Sequence, residues 1–263
     1  MDSNSVPSGL VVWSDSPEDS DALKLALRLG VRLVVNEEPP QAEEQADWLL
    51  FYDEDQLYLH TSRHPEFRPL SVDYLGGEFA RRWRSATKND ILVKAIGLKK
   101  GVRTVCDATC GLGYDAFFLS TFKDLQVTAC ERSPVPAELV LDALARVKDA
   151  GRFEQSPMFF HFGDAREFLE KHPGEFDAVY LDPMYPVDES ATAKPKKEMF
   201  LFRELVGQDK DSEALFEAAY TAARKRVVVK RADNADEITK TKKPDYVVPG
   251  KSVRFDVYLK GSQ

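Results

Sequence analysis

Val105-Cys-Asp107-Ala-Thr-Cys-Gly111-Leu-Gly113-Tyr-Asp115 is the stretch from which the fold can be read. Apolar residues run into Asp107 as a strand does. A Gly-x-Gly turn follows, and Asp115-Ala-Phe-Phe-Leu-Ser-Thr-Phe122 continues with helical spacing. Glycines at such a turn let the backbone approach a ligand, and the helix start beyond them offers N–H groups with no intrahelical partner. Ala116 stands where a dinucleotide fingerprint has its third glycine, so the match is to G-x-G-x-x-A. The spacing alone fits a nicotinamide dinucleotide and S-adenosylmethionine equally. A second strand, Gln126-Val-Thr-Ala-Cys130, ends in Glu131, 20 residues after Gly111. That is the place of a carboxylate that accepts from both hydroxyls of a ribose.

Outward from this unit, strands alternate with helices: strands near 103–107, 127–131, 159–162, 178–182 and 227–230, and helices near 116–122, 136–148, 165–171 and 213–224. That rhythm predicts βαβ units around a parallel sheet, hence an α/β fold. Tyr246-Val-Val248 and the run 253–259 predict a terminal antiparallel hairpin. Upstream, the spacing predicts one helix over 77–96, with Phe79, Trp83, Ile91 and Ala95 on its inner face, inside a basic stretch 77–100. Residues 1–75 read as a small acidic α+β domain, with a hairpin turn at Asp53-Glu-Asp-Gln56, and residues 76–263 as the larger domain.

The apolar run Asp177-Ala-Val-Tyr-Leu181 leads into Asp182-Pro183-Met184-Tyr185. The tetrapeptide is similar to the (D/N)-P-P-Y signature of enzymes that methylate an exocyclic amine of a nucleobase. Such an amine is a poor nucleophile, so the site needs acceptors for its N–H groups and a flat side chain to stack on the base. Proline after the acid fixes φ and leaves the turn's carbonyls free to face a substrate. Asp182 and the Pro183 carbonyl would accept from the amine, and Tyr185 would stack. Asp-Pro after a strand is also a common turn opener. Taken with the glycine turn and Glu131, the tetrapeptide favours methyl transfer over hydride transfer.

Several motifs in one order resemble the bacterial ribosomal small-subunit methyltransferase J family. They are Asp107-Ala-Thr-x-Gly-Leu-Gly-x-Asp115, Glu131-Arg132, Tyr180-Leu-Asp-Pro-Met-Tyr-Pro186, Lys196-Lys-Glu-Met199 and Arg226-Val-Val-Val-Lys-Arg231, joined by Val72-Asp-Tyr-Leu-Gly-Gly77 and Arg254-Phe-Asp-Val-Tyr258. The resemblance covers roughly residue 70 to the C-terminus. It implies a Rossmann-like S-adenosylmethionine-dependent methyltransferase fold, and transfer of a methyl group to the N2 amine of a guanosine near the 3′ end of 16S ribosomal RNA. It also implies cofactor contacts at Tyr114, Asp115, Glu131, Arg132, Asp164, Ala165 and Asp182. Tyr114 and the Asp164-Ala165 pair depart from the arginine and paired serines of the family pattern. With the cofactor so oriented, the Asp107–Gly113 turn would hold its methionine end, Glu131 its ribose and Asp164 its adenine amine. Adenine N6 or protein-glutamine methylation, which use the same tetrapeptide, and a nucleotide-binding RNA chaperone without catalysis are the alternative readings.

Composition sets the class. At 263 residues and 43% hydrophobic, the chain can bury a large core with a small accessory domain. No apolar stretch approaches the roughly 18 residues of a membrane helix. Gly9-Leu-Val-Val-Trp13 is too short for a signal peptide and follows Asp2 rather than basic residues, so the expected location is the cytoplasm. The odd count of cysteines, Cys106, Cys110 and Cys130, argues against a disulfide framework. Cys106 and Cys130 read as small core residues. His60, His64, His161 and His172 form no group with them, so no metal is expected.

The net charge of −8 divides unevenly. Residues 1–75 hold 15 acids against 5 bases, so the remainder holds 29 against 31. In that remainder the bases cluster: Arg81, Arg82 and Arg84 near the start, Lys194, Lys196 and Lys197 after the tetrapeptide, and Arg224-Lys-Arg226 with Lys230 and Arg231 beyond. Clusters of this kind release counterions on binding phosphate, so the first two groups are the expected RNA contacts. The arginines could instead pair with the acidic domain. Segment 187–197 is expected to cover the target nucleotide, and Tyr180 to be core.

Overall fold

The computed structural model describes residues 5–39, 46–151, 153, 158–184, 197–207 and 211–261. It begins with a four-stranded sheet in the order β2-β1-β3-β4, made of β1 (Leu10–Ser14), β2 (Arg32–Val35), β3 (Trp48–Asp53) and β4 (Gln56–Thr61). Helix α1 (Ser20–Leu29) crosses between the parallel strands β1 and β2. The Asp19 side chain caps its first turn by accepting from the Asp21 and Ala22 N–H groups, and Gly30 ends it in the left-handed region. The β3–β4 hairpin turns through Glu54 and Asp55, both at positive φ, the geometry that matches strand twist in a two-residue loop.

The second sheet has seven strands in the order β10-β11-β9-β8-β5-β6-β7. These are β5 (Thr104–Asp107), β6 (Gln126–Glu131), β7 (Phe159–Phe162), β8 (Phe176–Leu181), β9 (Ala223–Ala232), β10 (Tyr246–Pro249) and β11 (Val253–Leu259). Strands β5 to β9 run parallel to one another, and β11 pairs antiparallel with both β9 and β10. Helices α4 (Tyr114–Ser120), α5 (Pro134–Asp149), α6 (Ala165–Lys171) and α8 (Ser212–Ala222) connect the parallel strands. Every residue of β8 is buried, as a central strand covered on both faces requires. After β5 the chain winds outward through β6 and β7, then returns to the far side of β5 with β8. The order therefore reverses between β5 and β8, and such a switch point opens a crevice at the strand C-terminal ends.

The segment predicted as one helix over 77–96 is broken. Helix α2 (Gly77–Arg84) stops where the Ser85 hydroxyl donates back to the Arg81 and Arg82 carbonyls, an alternative to continuing the helical ladder. Asp90 then starts α3 (Ile91–Ile96) by accepting from the Leu92 N–H, and a 3₁₀ turn spans Leu98–Lys100. The inner face survives the break, because Phe79, Trp83 and Ile91 still pack on the core beside buried Ala95. Strand β9 is longer than the predicted 227–230, starting directly from α8 because Ala223 pairs with Phe176.

The two sheets share one hydrophobic cluster, which runs from Leu10 and Leu59 through Val140 of α5 to Val257. Strand β4 lies against α5, and Arg28 on α1 grips Glu138 with two hydrogen bonds of 2.8 and 3.0 Å. A second cluster covers the other face of the large sheet, with Phe168, Phe216, Val227, Val229 and Tyr258. Cys106 and Cys130 are fully buried there, their Sγ atoms 3.9 Å apart.

Candidate active site at the switch point

A cavity of about 310 Å³ opens at the C-terminal ends of β5, β6 and β8. Its floor is the glycine turn. Gly111 and Gly113 both have positive φ, and a Cβ on Gly113 would lie 2.2 Å from the Tyr74 hydroxyl, so no other residue fits there. That hydroxyl donates to the Leu112 carbonyl at 2.9 Å, and the Tyr74 ring stacks on Phe117 of α4. The Glu131 carboxylate holds the turn from the end of β6. One oxygen accepts from the Gly111 N–H and the other from the Ser133 N–H, both at 2.7 Å. Its carboxylate thus stands at the cavity wall as an acceptor of hydrogen bonds. Cys110 lines the same turn.

On one side of Glu131 the Asp164 side chain caps α6 by accepting from the Arg166 N–H at 2.7 Å, and pairs with the Arg166 guanidinium at 2.9 Å. Burial pushes its carboxyl up, but the Arg166 bonds prevail and hold it below the ordinary range. Arg132 turns to Asp211 at 2.8 Å, at the start of α8, and Ala165 is buried beside them. Tyr114, Asp115, Glu131, Arg132, Asp164, Ala165 and Asp182 all line the one cavity with Asp107, Gly111 and Gly113.

The other side carries the tetrapeptide. Asp182 follows β8, its N–H donating to Thr109 Oγ1 at 2.6 Å, its side chain 39% exposed at the rim. Pro183 is buried and Met184 lines the cavity, whereas Tyr185 lies outside the described residues. Lys230 of β9 donates to Asp182 Oδ2 at 2.7 Å and to Asp115 Oδ2 at 3.0 Å. Tyr180, fully inside as expected, also donates its hydroxyl to Asp115 Oδ2 at 2.8 Å. Burial, with Asp115 nearby, keeps the Asp182 carboxyl above its usual value despite Lys230. Burial also opposes ionisation of Asp115, yet Lys230, Tyr180 and Arg82 together hold it below. Asp107, 2% exposed at the end of β5, is pushed up to about 8 by burial. Lys230 itself is held well above the usual lysine value because the charges of Asp182 and Asp115 outweigh its burial.

Sequence reading missed one wall. Helix α7 (Lys197–Val206) brings Phe202 and Val206 to the cavity, and the Phe202 ring reaches within 3.4 Å of where a Gly111 Cβ would be. The same helix is tied to the amino-terminal part: Glu204 pairs with Arg63 at 3.2 Å and with His64 at 3.3 Å, and Phe200 meets the His64 and Phe67 rings. Arg63 also pairs with Asp47 at 2.6 Å. The run Phe-Leu-Phe-Arg-Glu-Leu-Val after Met199 carried a usable amphipathic signal. Lys230 was visible only as one base in a cluster.

Arg81, Arg82 and Arg84 are exposed on α2. Arg82 lies 4.3 Å over the Phe118 ring and 3.8 Å from Asp115. Arg84 donates to the Leu75 carbonyl and Arg81 to Gly77. Among the described residues these three form no ion pair with the acidic first part of the chain. Lys194 and Lys196 lie outside the described residues, as does segment 187–196, and of Lys197 only the backbone at the start of α7 is described. No group of three or more metal-binding side chains occurs among the described residues, and no described helix is long and apolar enough to cross a membrane.

The family model described as "Putative SAM-dependent methyltransferase" matches residues 34–260. The chain is 40% identical over 225 residues to the ribosomal RNA small subunit methyltransferase J of Shewanella denitrificans, covering 84% of this chain and 90% of that one. With the protein of the same name from Tolumonas auensis the identity is 38% over 254 residues, covering 95% and 97%. Among solved structures, a SAM-dependent methyltransferase from Neisseria gonorrhoeae superposes with a TM-score of 0.66 at 32% identity, over 95% of both chains.

Proposed function

Because this chain belongs to the ribosomal RNA small subunit methyltransferase J family and is an S-adenosylmethionine-dependent methyltransferase, we propose that it methylates the exocyclic N2 amine of one guanosine in 16S ribosomal RNA. The bound cofactor supplies a sulfonium methyl, an electrophile that needs no metal. The residues present suit it. A cavity of about 310 Å³ falls at the lower end of the roughly 300–1,000 Å³ of small-molecule sites. Its lining includes the carboxylates of Asp115, Glu131 and Asp182, which favour a cationic ligand.

The observation that carries this reading is the placement of Asp182 at the rim of the same cavity whose floor is the Gly111–Gly113 turn. In this reading Glu131 accepts from the ribose, Asp164 from the adenine amine, and the Asp107–Gly113 turn, with Tyr114 and Asp115 beyond it, receives the methionine end. Arg132 and Ala165 border the adenosine side. Asp182 and the Pro183 carbonyl accept from the guanine amine, and Tyr185 stacks on the base. The amine is conjugated with its ring, so alignment and fixed charges contribute more than a strong base. Arg81, Arg82 and Arg84, with Lys194, Lys196 and Lys197, bind phosphates of the RNA, in the cytoplasm where small subunits are made.

The test is to incubate the protein and labelled S-adenosylmethionine with small subunits from a strain lacking the enzyme, and with the naked RNA, and then to map the label. Label on N2 of one guanosine near the 3′ end of 16S RNA is expected. Label on adenine N6 or on protein would overturn the assignment.

A further inference from the structure

We propose that Lys230 is a positioning residue for methyl transfer: its ammonium, bound at once to Asp115 and Asp182, fixes the Asp182 carboxylate so that Oδ1 is left to accept from the target amine. The proposal rests on the reading of Asp182 given above. Its geometric basis is strand register. Leu181 pairs with Val229 across β8 and β9, so Asp182 and Lys230 are the next residues along, Asp182 just past the end of β8 and Lys230 still within β9, paired with Phe255 of β11. Side chains alternate along β9. Val227 and Val229 enter one core cluster and Val228 the other, which places Lys230 on the face of Val228, toward α4 and Asp115.

A lysine needed only for packing would be satisfied by Asp115. This one also reaches a carboxylate that is 39% exposed and lies beyond the end of the strand. The support behind it is rigid: the Tyr180 hydroxyl, on a fully buried strand, fixes Asp115, Asp115 fixes Lys230, and Lys230 fixes Asp182. Among the described residues Lys230 is the sole donor to the Asp182 carboxylate, through Oδ2.

Charge gives the arrangement its consequence. The groups facing Asp182 are Lys230 from β9, Asp115 from α4 and Arg203 from α7, with Asp107 at the end of β5 and Tyr180 on β8 behind them. The partly enclosed position of Asp182 and the charge of Asp115 both oppose its ionisation, and Lys230 is the main group that favours it. Without the ammonium, Asp182 would take up a proton at higher pH. A protonated carboxyl presents a donor where the amine needs an acceptor.

Lys230→Met is expected to lower kcat by about 100-fold, the loss seen when one preorganised electrostatic contact is removed. KM for RNA should stay within about threefold, since the contact matters mostly as charge develops. The acid limb of the kcat–pH profile should move to higher pH. In the cofactor-free protein, carbon-13 carboxyl resonances should show Asp182 titrating higher than in the wild type. Lys230→Arg keeps the charge but spreads the donors over a planar fork. Its acid limb should stay at the wild-type position while kcat falls. If Lys230→Met does not fold, Lys230→Arg decides alone, and wild-type kcat in that variant overturns the proposal. So does a folded Lys230→Met whose acid limb and Asp182 titration are unmoved. Asp182→Ala run alongside separates the two ideas. Normal methylation by it would sink the reading of Asp182, whereas an inactive Asp182→Ala beside a normal Lys230→Met would sink only the role of Lys230.

Discussion

Glu131 Oε2 accepts the backbone N–H of Gly111 at 2.7 Å, joining the end of β6 to the turn after β5 across 20 residues of sequence. The carboxylate proposed to hold the cofactor's ribose therefore also shapes the loop that receives the rest of the molecule. With its other oxygen on the Ser133 N–H, it spans the first turn of the cavity and the start of α5.

Glu131→Gln should accordingly cost both affinity and stability. The amide nitrogen that replaces one oxygen is a donor, and it would face a backbone donor at Gly111 or Ser133. A hydrogen bond to a charged group contributes about 1.5–3 kcal/mol, so a lowered melting temperature and a weaker S-adenosylmethionine enthalpogram are expected together. Calorimetry on the purified variant checks both, and unchanged affinity would remove Glu131 from the cofactor site.

Asp107 predicts an unusual pH dependence. Its carboxyl is raised to about 8 by burial, against an unfolded-chain value of about 3.9. Between those two values the folded protein keeps a proton that the unfolded chain has lost, so this group's contribution to stability falls as pH rises through the window. Asp107→Asn removes that dependence. Its melting temperature should gain on the wild type between about pH 4 and about pH 8, and parallel curves would show that Asp107 is ionised throughout.

Arg81 and Arg82 should behave differently although they are neighbours. Among the described residues the Arg81 side chain donates only to the Gly77 carbonyl of its own helix and forms no ion pair, so Arg81→Ala should lower affinity for ribosomal RNA of any sequence without altering stability. The slope of log K against log salt should flatten by about 0.7–0.9 for the lost phosphate contact. Arg82→Ala should do the same and also lower kcat, because Arg82 faces Asp115, the anchor of Lys230. Binding titrations at several salt concentrations distinguish them, and an unaltered slope in both would place the RNA surface elsewhere.

Glu204→Gln tests the wall formed by α7. Its pairs with Arg63 and His64 are partly exposed, so the stability cost should be at most about 1 kcal/mol. Loosening the helix that carries Phe202 should nonetheless speed cofactor release. Stopped-flow displacement of S-adenosylhomocysteine measures this, and an unchanged off-rate would make α7 a passive cover.

How much was legible beforehand depended on whether a signal was local. The glycine turn, Glu131 and the strand–helix rhythm are written in short runs of sequence, and the parallel sheet with its antiparallel β11 follows from them. The break after Arg84 was missed because apolar spacing at Phe79, Trp83, Ile91 and Ala95 continues across it, while the Ser85 back-bond and the Asp90 cap are single side-chain events. The Lys230–Asp182 contact joins two strands 48 residues apart and needs their register, which no periodicity reveals. Tyr180 was legible as core but not as a donor to Asp115, since burial hides what a hydroxyl faces.

The clasp between Arg63 and Glu204 spans 141 residues of chain. During synthesis the amino-terminal sheet emerges early, yet the helix that its Arg63 anchors is made only after most of the large sheet. Loop closure over such a span is slow compared with local folding. A nascent chain halted before residue 197 should therefore fail to retain labelled S-adenosylmethionine, whereas one extended through β11 should hold it. On that expectation the cofactor cavity acquires its α7 wall only after residues 197–206 have been made.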